Sequence, residues 1–380
     1  MEPLEADKDS KTINGSGELL SESAPMDKHR VPLTAGNRFA RLAGIGVLLL
    51  GVVGAFLYLG AWFSPQQLTP ARFVDGFERV NGIKSGFRRN HAKGVCVRGF
   101  FDSNGQGARL SKAVVFESGR VPVIGRFSLG GGDPHVTDVL NTVRGLGLQF
   151  SLPDGEQWRT AMINLPVFPF KDPQAFYDNL VASQRDPNTH QPDPAKVAAF
   201  LASHPETGGA LAIIKSRAPS SGFDDAVYYS LNAFRFVNAD GASSYVRWTL
   251  APLQPYGAGA SQDKNFLFDG LIASIQQHPL QWHLVITVAQ PGDPTDNATI
   301  QWPEGREQVD VGTLTLDSVE SEETSPARDI NFDPLVLPAG MAPSNDPLLS
   351  ARSAVYSQSF TRRAGEMKEP SEITPSEVRK

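Results

Sequence analysis

The hydrophobic pattern changes period along the chain, and each change marks an element. From Leu42 to Phe63 no charged side chain interrupts the apolar run. As a helix this stretch would reach about 33 Å, enough for the hydrocarbon core of a bilayer. Glycines at 44, 46, 51, 54 and 60 suit a membrane span better than a soluble helix. A transmembrane helix is therefore expected over 42–63. Thr69-Pro70 then supplies an N-cap and a first helical position, and Phe73, Val74, Phe77 and Val80 share one stripe of the helix that follows.

Beyond Val95 the period shortens to two. VPVIGRFSLG and GLGLQFSLPDGEQWRTAMINLPVF read as antiparallel strands separated by Gly-rich and Asp-Gly turns, as far as Phe170. Helical stretches over about 173–185 and 194–204 interrupt them. Strands resume at LNAFRFVNADGASSYVRWTL, WHLVITVAQ and 309–316, with a helix near 266–277 and a last helix over about 346–366. The expected class is α+β: an antiparallel β-barrel with surrounding helices, preceded by one membrane helix.

Residues 1–41, rich in Ser, Glu, Lys, Gly and Pro, show neither period and are expected to form an unstructured cytoplasmic leader, and 367–380 an unstructured tail. Lys28, Arg30, Arg38 and Arg41 precede the span, whereas no Lys or Arg follows it until Arg72. The positive-inside tendency then places the main domain on the periplasmic or extracellular side of the cytoplasmic membrane, with the bilayer as a partner through 42–63.

Composition narrows the chemistry. A net charge of −6 gives no general basic field, so nucleic acid is not an expected partner. The one cysteine, Cys96, rules out an intrachain disulfide and any cysteine-based zinc or iron–sulfur site. His135, His190, His204, His278 and His283 lack metal-ligand spacing.

Two stretches concentrate candidate chemistry. GFRRNHAKGVCVRGFF, residues 86–101, sets His91 between arginines and the start of a strand. By itself it also fits an ordinary packed histidine. ARSAVYSQSFTRRAGE in the last helix puts Arg352, Tyr356 and Arg363 on one stripe, at 100° per residue. By itself that helix also fits a solvated basic face with a packing tyrosine.

Taken in order, RRNHAKGVCVRGFF, GRFS at 125–128, INLPVF at 163–168 and R-x-x-x-Y with the Arg-x-Gly at 363–365 resemble the haem catalases, and more closely their small, catalase-related peroxidases. The resemblance covers about residues 66–366. It implies haem b as cofactor, His91 as distal histidine, Asn164 as distal asparagine and Ser128 as the hydroxyl that holds the imidazole. It further implies Tyr356 as the iron ligand, Arg352 as the arginine beside its oxygen, and Arg88, Arg126 and Arg363 as the propionate-binding arginines. Phe176 falls where an aromatic ring stacks near the porphyrin.

The implied activity is reduction of hydrogen peroxide or an organic hydroperoxide by an organic electron donor, with weak catalase activity. A neutral imidazole whose pKa lies near working pH can shuttle the proton that such cleavage needs. Two departures bear on the balance. Pro169 stands where full-length catalases have a second phenylalanine, and Asn90 replaces the small apolar residue before the distal histidine. The long C-terminal extension and the N-terminal arm of those enzymes are not recognisable, so NADPH is not expected. Within haem chemistry the alternative is a fatty-acid hydroperoxide isomerase; outside catalysis it is a haem-binding module.

Overall fold

A computed structural model of the chain describes residues 34–59, 68–189, 191–257 and 261–376. The expected leader up to residue 33, His190, and the last residues of the expected span and tail lie outside them. The chain divides into two units, Met1–Gln67 and Leu68–Lys380. In the first, α1 (Ala35–Leu59) is a 25-residue helix, long and apolar enough to cross a membrane, a property N-terminal signal sequences share. It begins seven residues before the sequence-derived boundary, because Ala35, Phe39 and Ala40 continue the helical pattern through Arg38 and Arg41.

The second unit is built on strands β1 (Gly94–Ser103), β2 (Gly119–Leu129), β3 (Arg144–Ser151), β4 (Gln157–Ile163), β5 (Tyr228–Tyr229), β6 (Phe234–Val237), β7 (Ser243–Pro252), β8 (Leu280–Val288), β9 (Gln308–Glu320) and β10 (Met341–Pro343). All pairings are antiparallel. The ladder runs β7-β5-β4-β3-β2-β1-β9-β8 and closes through β7 against β8, so eight strands form a barrel, with β6 attached to β7 and β10 to β6. This is the antiparallel barrel that the period-two pattern predicts. Closure removes the free edges that an open sheet would expose.

Alternation along each strand fills the barrel with large apolar rings. Trp158, Trp248, Trp282, Phe127 and Phe150 are at most 1% exposed. Phe150 stacks on Trp158 at 4.5 Å between ring centroids, and Trp158 meets Trp248 edge-on at 5.3 Å. Their polar atoms are partly satisfied within the core, Trp248 donating to Thr160 and Trp282 to the Ala226 carbonyl.

Among the described residues six helices surround this barrel: α2 (Pro70–Asn81), α3 (Pro173–Ala182), α4 (Pro194–Ser203), α5 (Pro205–Lys215), α6 (Phe266–Gln277) and α7 (Pro347–Ala364). Side-chain caps start several of them: Thr69, Asp172, Asp193 and Asp346 each accept a backbone N–H of the first turn, ahead of a proline. The pattern ends the helical stretch at His204, whereas α5 continues to Lys215 after a sharp bend at Pro205. Gly208 and Gly209, poor helix formers, hide it in the sequence.

An ion-pair cluster fixes α2 on α7. Arg362 donates to Glu78 and Asp75, while Arg89 bonds both Glu78 and Glu366. The segment after α7, expected to be unstructured from residue 367, instead packs on the domain as far as residue 376. Ile373 is 2% exposed in the main core, and Glu372 pairs with Lys264 and His135. One well-placed isoleucine gives that polar segment something to bury.

Candidate active site

On β2, β3 and β4 the positions that do not point into the barrel form one outward face. Phe127, Leu146, Leu148 and Met162 belong to the core, while Arg126, Ser128, Gly145, Gly147, Ala161 and Ile163 line a cavity of about 480 Å3. Helices α2, α3 and α7 contribute further lining, through Phe73 and Phe77, Phe176 and Leu180, and Arg352, Tyr356 and Arg363. The volume lies within the range of organic-cofactor pockets, roughly 300–1,000 Å3.

The two glycines of β3 keep this face flat. A Cβ on Gly145 would stand 3.0 Å from the His91 ring and 2.9 Å from Ser128 Oγ; one on Gly147 would stand 2.7 Å from the ring of Phe332. Any larger residue would displace the rings that border the cavity.

His91 enters the cavity from the loop before β1, with φ of +59°. A non-glycine residue there is strained, and the surroundings must hold it. Arg126 Nη1 donates to the His91 carbonyl at 2.8 Å, Asn90 Oδ1 accepts from the Gly131 N–H at 2.8 Å, and Ala92 N–H donates to Gly131 at 2.9 Å. The imidazole Nδ1 lies 3.1 Å from Ser128 Oγ. Burial, with Arg126, Arg88 and Arg352 nearby, pushes the imidazole pKa down to about 3, so the ring is neutral at pH 7.

Arg88, Arg126 and Arg363 also meet at the cavity. Arg88 Nη2 donates to the carbonyls of Ala327, Arg328 and Ile330, and Arg363 Nη1 to that of Arg328. Burial and the neighbouring arginines lower the pKa of Arg88, and the same causes bring Arg363 to about 10. Arg363 Nη2 is buried without a hydrogen-bond partner. Such a cluster calls for anionic groups.

Tyr356 lines the cavity from α7. Arg352, one turn earlier, brings Nη2 to 3.5 Å from the phenol oxygen while donating to the Ala161 carbonyl at 2.8 Å and to Asn232 Oδ1 at 2.6 Å. Asn232 Nδ2 in turn donates to Asp346, the buried N-cap of α7, at 2.8 Å. Asn232 and Asp346 were not among the sequence candidates. The Asp346-Pro347 pair is legible as a cap, but nothing local marks Asn232, which lies 120 residues from Arg352.

Asn164 is not part of the cavity wall. Its Oδ1 accepts from the Arg144 N–H at 2.9 Å and its own N–H donates to the Arg144 carbonyl at 3.0 Å. That pairing fixes which way the amide faces and leaves Nδ2 without a bonded acceptor. Arg144, fully buried and bonded to Ser220 and to the Leu140 carbonyl, was missed, since a strand-opening arginine carries no signal of its own. Phe176 lines the cavity, stacked on Phe170 at 4.9 Å and edge-on to Phe73 at 5.3 Å. Pro169 lines it too.

Residues 64–373 match the family model described as Catalase. The chain belongs to the catalase family. Its members are haem oxidoreductases that act on peroxide. The chain is 38% identical to a catalase-related peroxidase of Synechococcus elongatus, over 86% of this chain and 97% of that one. It is 32% identical to a catalase-related peroxidase of Mycolicibacterium paratuberculosis, over 78% and 96%. Rat catalase is 28% identical over 80% of this chain, which spans 61% of that enzyme. Among solved structures, a bacterial catalase superposes with a TM-score of 0.66 at 20% identity, covering 80% of this chain and 63% of that chain, so the catalase-like barrel is shared. The catalase cavity described above fits haem on its own terms, with flat glycine walls, a tyrosine oxygen beside an arginine, and an arginine cluster holding one buried unpaired donor.

Proposed function

We propose that this catalase-family protein is a haem b peroxidase that reduces hydrogen peroxide or organic hydroperoxides at the expense of an organic electron donor, with weak catalase activity. The observation that carries the proposal is one cavity bordered by a neutral, strained His91 bonded to Ser128, by Tyr356 beside Arg352, and by the Arg88, Arg126 and Arg363 cluster. Haem held there supplies the redox centre for peroxide. Tyr356 would ligate the iron, and the three arginines would hold the propionates.

The residues divide the remaining work. With the tautomer of His91 that donates Nδ1–H to Ser128 Oγ, 3.1 Å away, Nε2 would be left as the proton acceptor. His91 takes a proton from one peroxide oxygen and returns it to the other. Burial depresses its pKa most, and of the guanidinium groups that add to this Arg126 and Arg88 are ones that propionates would neutralise, so cofactor binding would relieve that part of the depression. Asn164 stands behind the cavity wall with its Oδ1 held by the Arg144 N–H, and would serve as a neutral donor to a substrate oxygen only by turning its Nδ2–H into the cavity. Phe73, Phe77, Phe176 and Leu180 make the remaining wall apolar, which suits an organic hydroperoxide or donor. The span at the N-terminus would anchor the enzyme in the cytoplasmic membrane with the haem domain outside.

The test uses haem-loaded full-length protein in detergent, supplied with hydrogen peroxide or an alkyl hydroperoxide, with and without a phenolic donor. Donor-dependent consumption with little oxygen release is expected, and Tyr356→Phe should lose the ferric tyrosinate spectrum. Rapid oxygen evolution with no donor oxidation would overturn the peroxidase assignment. Consumption of a lipid hydroperoxide without any donor would favour an isomerase.

A further inference from the structure

Glu322 is a carboxylate 4% exposed, placed behind the arginine cluster just after β9. Its Oε1 accepts from Arg126 Nε at 2.6 Å, and its Oε2 is buried with no partner. Burying such a group is costly, so its place calls for a reason. Arg126 does not depend on Glu322 for its position, since its two Nη atoms donate to the carbonyls of His91 and Ala92 at 2.8 and 2.9 Å. What Glu322 contributes is charge. It lowers the net positive charge that Arg88, Arg126 and Arg363 present to a cofactor bearing two carboxylates, on the Arg126 side of the cluster, while Asp329, whose Oδ1 lies 3.5 Å from Arg363 Nη1, does so on the other.

We propose that Glu322 is a charge-balancing residue of the cofactor site: a built-in anion that offsets the mutual repulsion of the arginine cluster before haem arrives and repels the incoming propionates once it does. The proposal rests on the haem reading of the cavity. Glu322 occupies the Nε edge of Arg126, so no propionate bonds there, and anions are left the rest of the cluster, including the unpaired Nη2 of Arg363. The site thereby exchanges haem affinity for stability of the empty protein. An ordinary structural ion pair would instead support both states alike.

Glu322→Gln separates these roles, because the amide oxygen still accepts from Arg126 Nε while the charge is gone. In full-length protein in detergent, the melting midpoint of haem-free E322Q is expected to fall by about 2–4 °C. Haem titration followed by the Soret band should give a dissociation constant about tenfold lower than wild type, the scale expected for one close charge removed. E322D, which keeps the charge, should return both values toward wild type. A fall in both stability and haem affinity, or no change in affinity, would overturn the proposal. Where haem-free E322Q does not accumulate, release of haem from the loaded variant to excess apomyoglobin reads the same quantity: slower release supports the idea and faster release sinks it. Wild-type protein that binds no haem at all would instead overturn the reading of the cavity.

Discussion

Asn232 holds Arg352 by a 2.6 Å hydrogen bond across 120 residues of sequence, and so joins the tyrosine-bearing helix α7 to the turn between β5 and β6. The same amide donates to Asp346, whose carboxyl burial pushes above the usual carboxylate range. A hydrogen-bonded line therefore runs from Tyr356 through Arg352 and Asn232 to the N-cap of α7. Its members are interdependent, because each polar group is removed from water and has the next as its partner.

Asn232→Ala breaks that line at its middle. Asp346 loses a donor and Arg352 an acceptor, a change worth about 1–3 kcal/mol for buried groups. Denaturant unfolding should show the loss. The haem-loaded variant should also show a shifted charge-transfer band, since Arg352 is freed to move relative to Tyr356. Unchanged stability and spectrum would mean that the line is incidental.

The depressed pKa of His91 makes stability pH-dependent in a fixed direction. The unfolded chain takes up a proton near pH 6.5, the folded protein only near pH 3. Between those values the unfolded state binds more protons, so stability falls as pH drops from 6.5 toward 3. His91→Gln cannot titrate and lacks this slope. Comparing haem-free wild type with H91Q at pH 7 and pH 5, the wild type should lose more stability, by at most about 2 kcal/mol. Parallel curves would show that His91 is not shielded in this way.

Much of this arrangement is legible in the chain, and what is not has an identifiable cause. The membrane-length helix, the strands and the helix over 266–277 follow from local periodicity and caps. His91, Ser128, Tyr356, Arg352 and the three arginines sit in short motifs, and the fold brings them to one cavity. Asn232, Arg144 and Glu322 act through partners 120, 20 and 196 residues away, so no local spacing could single them out. The burial of Ile373 was likewise hidden, since the polar residues around it dominate the pattern of the tail.

Gly147 tests the flatness of the cavity wall. A methyl there would lie 2.7 Å from the ring of Phe332, closer than carbon atoms approach. Phe332 is 6% exposed, packed with Cys96 and Ala327, and itself lines the cavity, so a shift of its ring changes the cavity wall. Gly147→Ala is expected to destabilise the empty protein by about 1–3 kcal/mol as an overpacked site and to weaken haem retention. Retention is read from the Soret-to-protein absorbance ratio after gel filtration. Full retention would show that the wall tolerates a methyl.

His91 itself allows strain and chemistry to be separated. Its φ of +59° costs a residue with a Cβ about 1 kcal/mol or more, a cost glycine does not bear. Both His91→Ala and His91→Gly remove the proton shuttle, and both should lower donor-dependent peroxide turnover by about 10²–10⁴-fold while sparing haem retention. Their stabilities should differ. Alanine keeps the strained backbone without the bond to Ser128, whereas glycine relaxes it, so H91G should exceed H91A by about 1 kcal/mol in denaturant unfolding. Equal stabilities would show that the left-handed turn carries no strain. Turnover surviving in either variant would remove the proton-shuttle role from His91.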